Sequence, residues 1–502
     1  IALMLILTMA MNIHMSVRYL QFRKENPNVL NSDALIWTSK KMFWPILYTV
    51  LTTICAFLSL IFSEIKPIID FGWMMTVGLL VSMSITFTLL PAILNILSNK
   101  NVNYKNEKKS KITSFLGEVA KKNTKTIFAS TSLVLIISIV GISKLEVENS
   151  FINYFDKETE IYKGMKLIDD KLGGTTPLDV IVKFPSKEET DKNEDDFDSW
   201  DDDEKDDAKY WFTRNKIDRI TQVHDYLDSL QAVGKVISFA SMVRVAEDLN
   251  DGKELQGLEM GVLYTKIPDS IKKEIIDPYI SINSNEARIS LRILDSKEDL
   301  RRNELIKKIN YDLQNKLGLK QEDFKLAGVL ILFNNLLQSL FKSQILTLGV
   351  VMAGITLMFL ILFRNITLSL IGVVPNFMAA FLILGIIGLL EIPLDMMTIT
   401  IAAITIGIAV DNSIHYIYRF KEEFKKSNNY NQTLEKCHDT VGVAILNTSI
   451  TIVFGFSILV LSNFIPTIYF GVFTGMAMLL AMLSVLTLLP KLILIVKPFG
   501  NE

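Results

Sequence analysis

The stretch GIAVDNSIHYIYRF, residues 407–420, decides how the chain is read. It continues the apolar run MMTITIAAIT at 396–405, a run of the kind that crosses a membrane. Yet it carries Asp411, His415 and Arg419 at spacings of four, which put all three on one helix face. A helix entering lipid near Asp395 brings Asp411 roughly 24 Å down at about 1.5 Å per residue, into the cytoplasmic half. A carboxylate in lipid costs at least ~2.5–3.5 kcal/mol, so it must face the bundle or water. Burial there makes a poised acid that can load and release a proton. Its bland role is a structural hydrogen bond to a neighbouring Ser or Thr.

Working outward, apolar runs recur near 43–62, 70–97, 126–143, 344–363, 366–389, 396–418, 444–463 and 468–496, with a partial run at 1–15. Half of the 502 residues are hydrophobic, and the mean hydropathy is +0.33, too apolar for an ordinary soluble protein. Cys55 sits in an apolar run and Cys437 in a polar loop, so no disulfide framework is implied. The chain opens inside an apolar run without an initiating Met or a signal-peptide start. The expectation is a chain whose N-terminal part is missing.

Lys and Arg orient the spans. Residues 98–125 hold eight lysines; Arg18, Arg23, Lys24, Lys40 and Lys41 cluster in 18–41, and Arg419, Lys421, Lys425 and Lys426 in 419–426. With these in the cytoplasm, the nine spans alternate without conflict and the large segment 144–342 lies outside. That segment reads as soluble, with strands at 178–184, 235–241, 288–294 and 323–328 and helices near 208–230 and 299–316. The order β-α-β, β-α-β predicts an α+β ferredoxin-like sandwich (βαββαβ). The insertion 186–207 is acidic: residues 188–207 hold thirteen acids and two lysines. It reads as solvated and disordered; it lacks the glycine and terminal glutamate of a calcium loop.

The chain also repeats itself. NIHMSVRY (12–19) matches SIHYIYRF (413–420), FG at 71–72 matches FG at 470–471, and TLLP at 88–91 matches TLLP at 487–490. Pro67 pairs with Pro466 and Thr52 with Thr451; the offset is 401 before the first loop and 399 after it. Parallel repeats are a known transporter plan, with the site near their interface. The domain reading follows: 1–97, the end of a first transmembrane repeat (partial span 4, spans 5 and 6); 98–125, a basic cytoplasmic linker; 126–143, span 7; 144–342, an outer porter-like domain; and 343–502, the second repeat (spans 8–12). An intact protein would have twelve spans and two outer domains.

Gly407-x-x-x-Asp411 with NSIH following, the span–FRN–span turn at 363–365, and the repeat together resemble the resistance–nodulation–division (RND) superfamily. The resemblance covers essentially the whole chain and is to the predicted-exporter, MmpL-like branch, related to Patched and sterol-sensing-domain proteins. It implies a polytopic α-helical membrane protein of RND fold in the cell (inner) membrane. It also implies export of hydrophobic or amphipathic, lipid-like molecules, driven by the proton-motive force through an intramembrane aspartate. One departure matters: the repeat partners of Asp411 and Gly407 are Ala10 and Ile6, so the first half lacks the acid, while Asn12 and His14 remain beside the vacancy.

Asp411 and His415 are therefore expected to form the proton relay. Because His14 keeps the same place in the other half, His415 also reads as a packing or gating post. Gly407 permits close helix approach. Thr448 and Thr451, with Thr52 as first-repeat counterpart, either solvate Asp411 or bond their own backbone. Asn412 supports the site, and Arg419 snorkels to the interface. No His/Cys/Asp/Glu group has metal-ligand spacing along the sequence, and no phosphate loop or Ser-His-Asp order occurs. No metal, cofactor, enzyme activity or nucleic-acid partner is expected. The expected partners are membrane lipid, a hydrophobic small-molecule or lipid substrate, protons, and a second copy or a periplasmic adaptor. Two alternatives stand beside export: a sterol-sensing-type lipid sensor or scaffold that does not pump, and a proton-coupled auxiliary of protein translocation.

Overall fold

The computed structural model describes residues 2–63, 65–97, 110–145, 150, 152–185, 211–255, 257–297 and 300–500. The acidic insertion at 186–207 lies outside them. The chain divides into two compact units, 1–147 with 338–502, and 148–337.

The first unit is helical. Its elements are α1 (Ala2–Glu25), α2 (Asn31–Leu58), α3 (Lys66–Leu97), α4 (Lys111–Lys122) and α5 (Thr124–Ile142). After the second unit, whose helices are α6–α11, come α12 (Val329–Phe363), α13 (Ile366–Leu389), α14 (Met396–Ser427), α15 (Tyr430–Asp439), α16 (Val441–Ser457) and α17 (Ile465–Val496). Nine of these helices are long and apolar enough to cross a membrane, counted among the described residues. Most start earlier or end later than the apolar runs. Lys40 and Lys41 lie inside α2, and Arg419 to Lys426 inside α14, rather than in loops. The basic linker folds from Lys111 into α4, which buries Thr113, Leu116 and Ala120. Cys437 is not in a loop; it is buried in α15.

The apolar stretch of α14 is 94% buried, so this helix is the centre of the bundle. Asp395 caps it: its carboxylate accepts from the Met397 and Thr398 amides, and Thr398 returns the bond. The repeat is visible in the backbone. Each copy's second span breaks into a 3-10 turn, Ser59–Phe62 and Ile458–Leu461. In each, a glycine of the following helix leaves room for a carbonyl. A Cβ on Gly72 would lie 2.6 Å from the Phe57 oxygen, and one on Gly471 2.7 Å from that of Phe456. The pairing is reciprocal: α1 packs on α16, and α14 on α2. Elsewhere α5 and α13 meet backbone to backbone. A Cβ on Gly141 would stand 1.9 Å from the Gly385 oxygen, and one on Gly388 1.9 Å from that of Gly141.

The second unit contains α6 (Glu160–Lys171), β1 (Thr176–Lys183), α7 (Arg214–Asp228), β2 (Val233–Ile237), α8 (Phe239–Leu249), α9 (Gly257–Lys266) and α10 (Asp269–Ile275). β3 (Ile280–Ser281), β4 (Glu286–Ile293), α11 (Arg302–Asn315) and β5 (Phe324–Ala327) complete it. The strands run in the order β2-β4-β1-β5, all neighbours antiparallel, with β3 on β4. Ala287, Ile289, Leu291 and Ile293 alternate inward along β4, against Ile220, Val223 and Leu227 of α7 and Ile309 and Leu313 of α11. The strand expected over 235–241 stops at Ile237. Ser238 instead caps α8, accepting from the Ala240 amide, and this local hydrogen bond overrides the β-pattern.

Candidate functional site

Asp411 and His415 occupy the middle of α14. The His415 Nε2 lies 3.1 Å from Asp411 Oδ1, an ion-pair distance, although Oδ1 accepts no well-oriented hydrogen bond. Across from them α1 supplies His14, whose ring stacks on His415 at 4.0 Å between centroids and 11° between planes. His14 and His415 are 3% and 5% exposed, and His14 Nε2 is buried without a partner. Donor atoms of His14, Asp411 and His415 all lie within 4.8 Å of one another. Local spacing gives no metal-ligand group; the fold builds one from residues nearly 400 apart in sequence.

Ala10 and Asp411 line the same cavity of about 20 Å³, with Thr49 and Thr53, space for about one water. The position that lost its acid thus faces the one that kept it. Gly407 lets α14 approach α2: a Cβ there would stand 2.5 Å from the Ala56 Cβ, and Thr53 donates to the Gly407 carbonyl at 3.0 Å. Asn412 Nδ2 lies 3.5 Å from Ser449 Oγ, and Asn12 Oδ1 is buried without a partner. The threonines resolve to the bland reading. Thr448 donates to Ala444 and Ile445, Thr451 to Asn447, and Thr52 to Tyr48 and Thr49, all carbonyls of their own helices. The threonine beside Asp411 is Thr49, which sequence reasoning missed.

Arg419 does not snorkel. It is 6% exposed and is held by Glu422 at 3.2 Å and Glu423 at 3.1 Å. Glu422 also takes Arg18 of α1 at 3.2 Å and Lys41 of α2 at 3.6 Å; Glu423 takes Lys436 of α15 at 2.7 Å. Reading 419–426 only for its positive charge hid Glu422, which ties the repeats together, and Glu423, which ties α14 to α15. A second cavity of about 50 Å³ runs between the histidines and this network, lined by His14, Arg18, Lys41, His415, Arg419 and Glu422 among others. On α15, burial pulls His438 below its usual value, although its ring nitrogens lie 2.9 and 3.0 Å from the Leu486 and Leu434 carbonyls.

Nine apolar helices, a repeat crossed at its centre by an acid–imidazole cluster, and an extracytoplasmic α+β unit define a multi-pass membrane protein of RND-type architecture. The chain belongs to the MMPL family, which it matches over residues 2–126 and 189–500. This is a family of membrane transporters, not of enzymes. A membrane protein of Methanocaldococcus jannaschii, MJ1562, is 25% identical over 396 residues, covering 76% of this chain and 94% of that one. Among solved structures, the hedgehog release protein Disp of the water bear Hypsibius dujardini superposes with a TM-score of 0.62 at 15% identity. The translocon-associated protein SecDF of Thermus thermophilus does so with 0.54 at 11%. Each superposition covers 98% of this chain but only 62% and 54% of the other, so the chain spans little more than half the length of these structures.

Proposed function

We propose that the chain is part of a membrane protein that moves or holds hydrophobic molecules, with Asp411 as its ion-responsive centre. The observation that carries this is a carboxylate in the middle of the most buried helix, in contact with an imidazole of its own repeat and near one of the other. An acid so placed is functional by default. In this reading Asp411 carries the proton, His415 relays it, and Gly407, Asn412 and Thr49 shape the surroundings. Cargo is lipid-like, and the outer unit (144–342) is a ferredoxin-like sandwich, a reading supported by the strand order β2-β4-β1-β5.

The non-exporting alternatives, a sterol-sensing-type scaffold and a proton-coupled auxiliary of translocation, have the better support. Ala10 leaves the first repeat without a counterpart to Asp411, and SecDF shares the fold. The deciding experiment is proton flux in vesicles with an imposed pH gradient. Asp411→Asn, in the full-length protein, is expected to abolish gradient-driven activity with normal expression and insertion. Unchanged flux would remove the proton-carrier role. Flux without movement of a lipid probe would favour the translocation auxiliary over export.

A further inference from the structure

The geometry points to a divalent transition-metal site formed by His14, Asp411 and His415. The triad offers two imidazole nitrogens and one carboxylate oxygen, all within 4.8 Å of one another. Ligand atoms on a tetrahedral ion at about 2.0–2.2 Å stand roughly 3.3–3.6 Å apart. The His415 Nε2 and Asp411 Oδ1 are already 3.1 Å apart, close to that spacing. The His14 ring is stacked on that of His415, 11° from parallel, so the in-plane lone pairs of the two rings do not converge and His14 must turn out of the stack to bind the same ion.

Two of the donor atoms are buried and otherwise unemployed. His14 Nε2 has no hydrogen-bond partner, and Asp411 Oδ1 accepts no well-oriented bond. Buried polar atoms left in that state are costly unless something binds them. The donor set selects the ion. Calcium and magnesium call for shells made of oxygens, whereas two imidazoles with one carboxylate suit zinc, iron(II), cobalt or nickel. A cavity of about 50 Å³ lies against both histidines, with room for a water. Its arginines and its lysine are paired with Glu422 or Glu423, which offsets their repulsion of a cation.

Because His14 sits on α1 and the other two ligands on α14, a bound ion joins the two repeats and occupies the oxygen that Asp411 would use for a proton. That inhibitory consequence rests on the proposed function; metal binding itself does not.

The test uses the purified full chain in lipid nanodiscs, with Co²⁺ as probe and neither substrate nor gradient present. About one Co²⁺ per chain is expected, with the intense visible absorption of a four- or five-coordinate ion, displaced by Zn²⁺. Asp411→Asn, His14→Phe and His415→Phe should each weaken binding by more than the ~10–100-fold that loss of an outer partner costs. His14→Cys, which keeps a donor, should retain it, and His224→Gln should leave it unchanged. Unfolding temperatures without metal identify any variant that merely fails to fold. Co²⁺ bound equally by wild type and all three ligand variants, or seen only with weak octahedral absorption, would overturn the site.

Discussion

The helices α1–α3 and the set α14–α17 are two castings of one plan, and they share backbone devices more fully than they share chemistry. The 3-10 breaks at 59–62 and 458–461 and the glycines against the Phe57 and Phe456 carbonyls occur in both. The stacked histidines come one from each. But the first copy has Ala10 where the second has Asp411. Its second span is the single helix Asn31–Leu58, whereas the second copy breaks at Thr440 into α15 and α16. Steric requirements bind every copy of a fold. An intramembrane charge costs free energy wherever it sits, so a copy that does not use it is free to lose it.

Restoring the symmetry should be the costliest change. Ala10→Asp puts a second carboxylate into the cavity of about 20 Å³ that Asp411 already lines. It is expected to lower stability by ~2.5–3.5 kcal/mol, read as a loss of thermal stability in detergent; an unchanged melting temperature would mean that the cavity is open to bulk water. Next come the shared glycines. Gly72→Ala and Gly471→Ala should each cost ~1–3 kcal/mol, because backbone must shift to admit the Cβ. Clearly unequal losses would break the structural equivalence of the repeats.

His438 has no counterpart histidine in the first copy. Burial depresses its folded pKa below 6.5, so the unfolded chain takes up the proton first as pH falls. Its contribution is therefore present above about pH 6.5 and is lost progressively below it. Melting followed from pH 8 to 5 should show this decline, and His438→Gln should flatten it. The smallest effect belongs to Thr52→Val and Thr451→Val. Both hydroxyls bond only their own helices, so a loss of about 0.5–1 kcal/mol is expected from each, with activity intact. Loss of activity in Thr451→Val alone would return that residue to the site.

The membrane helices were legible because runs of about 20 apolar residues have few other readings. Their ends were not, because Lys40, Lys41 and the charged turn 419–426 continue helices whose charges are partnered in space. The outer strands were legible from alternation, except where Ser238 preferred to cap a helix. At the site, the spacing of Asp411 and His415 was readable within one helix. The stacking of His14 was hinted at by the repeat, but contact across nearly 400 residues is a property of packing. Thr49 carried no local pattern that marked it; Glu422 and Glu423 stand three and four residues after Arg419, a pairing readable on one helix, but the reach of Glu422 to Arg18 and Lys41 is again a property of packing.

The contact of α5 with α13 bears on mechanics. With Gly141, Gly385 and Gly388 admitting opposing main chain, these helices meet backbone against backbone at that level. Close-packed interfaces without adjustable side chains do not slide by small amounts. The two spans are therefore expected to move as one girder. The seam between α1 and α14, by contrast, is filled with rings and charged chains that can re-pair.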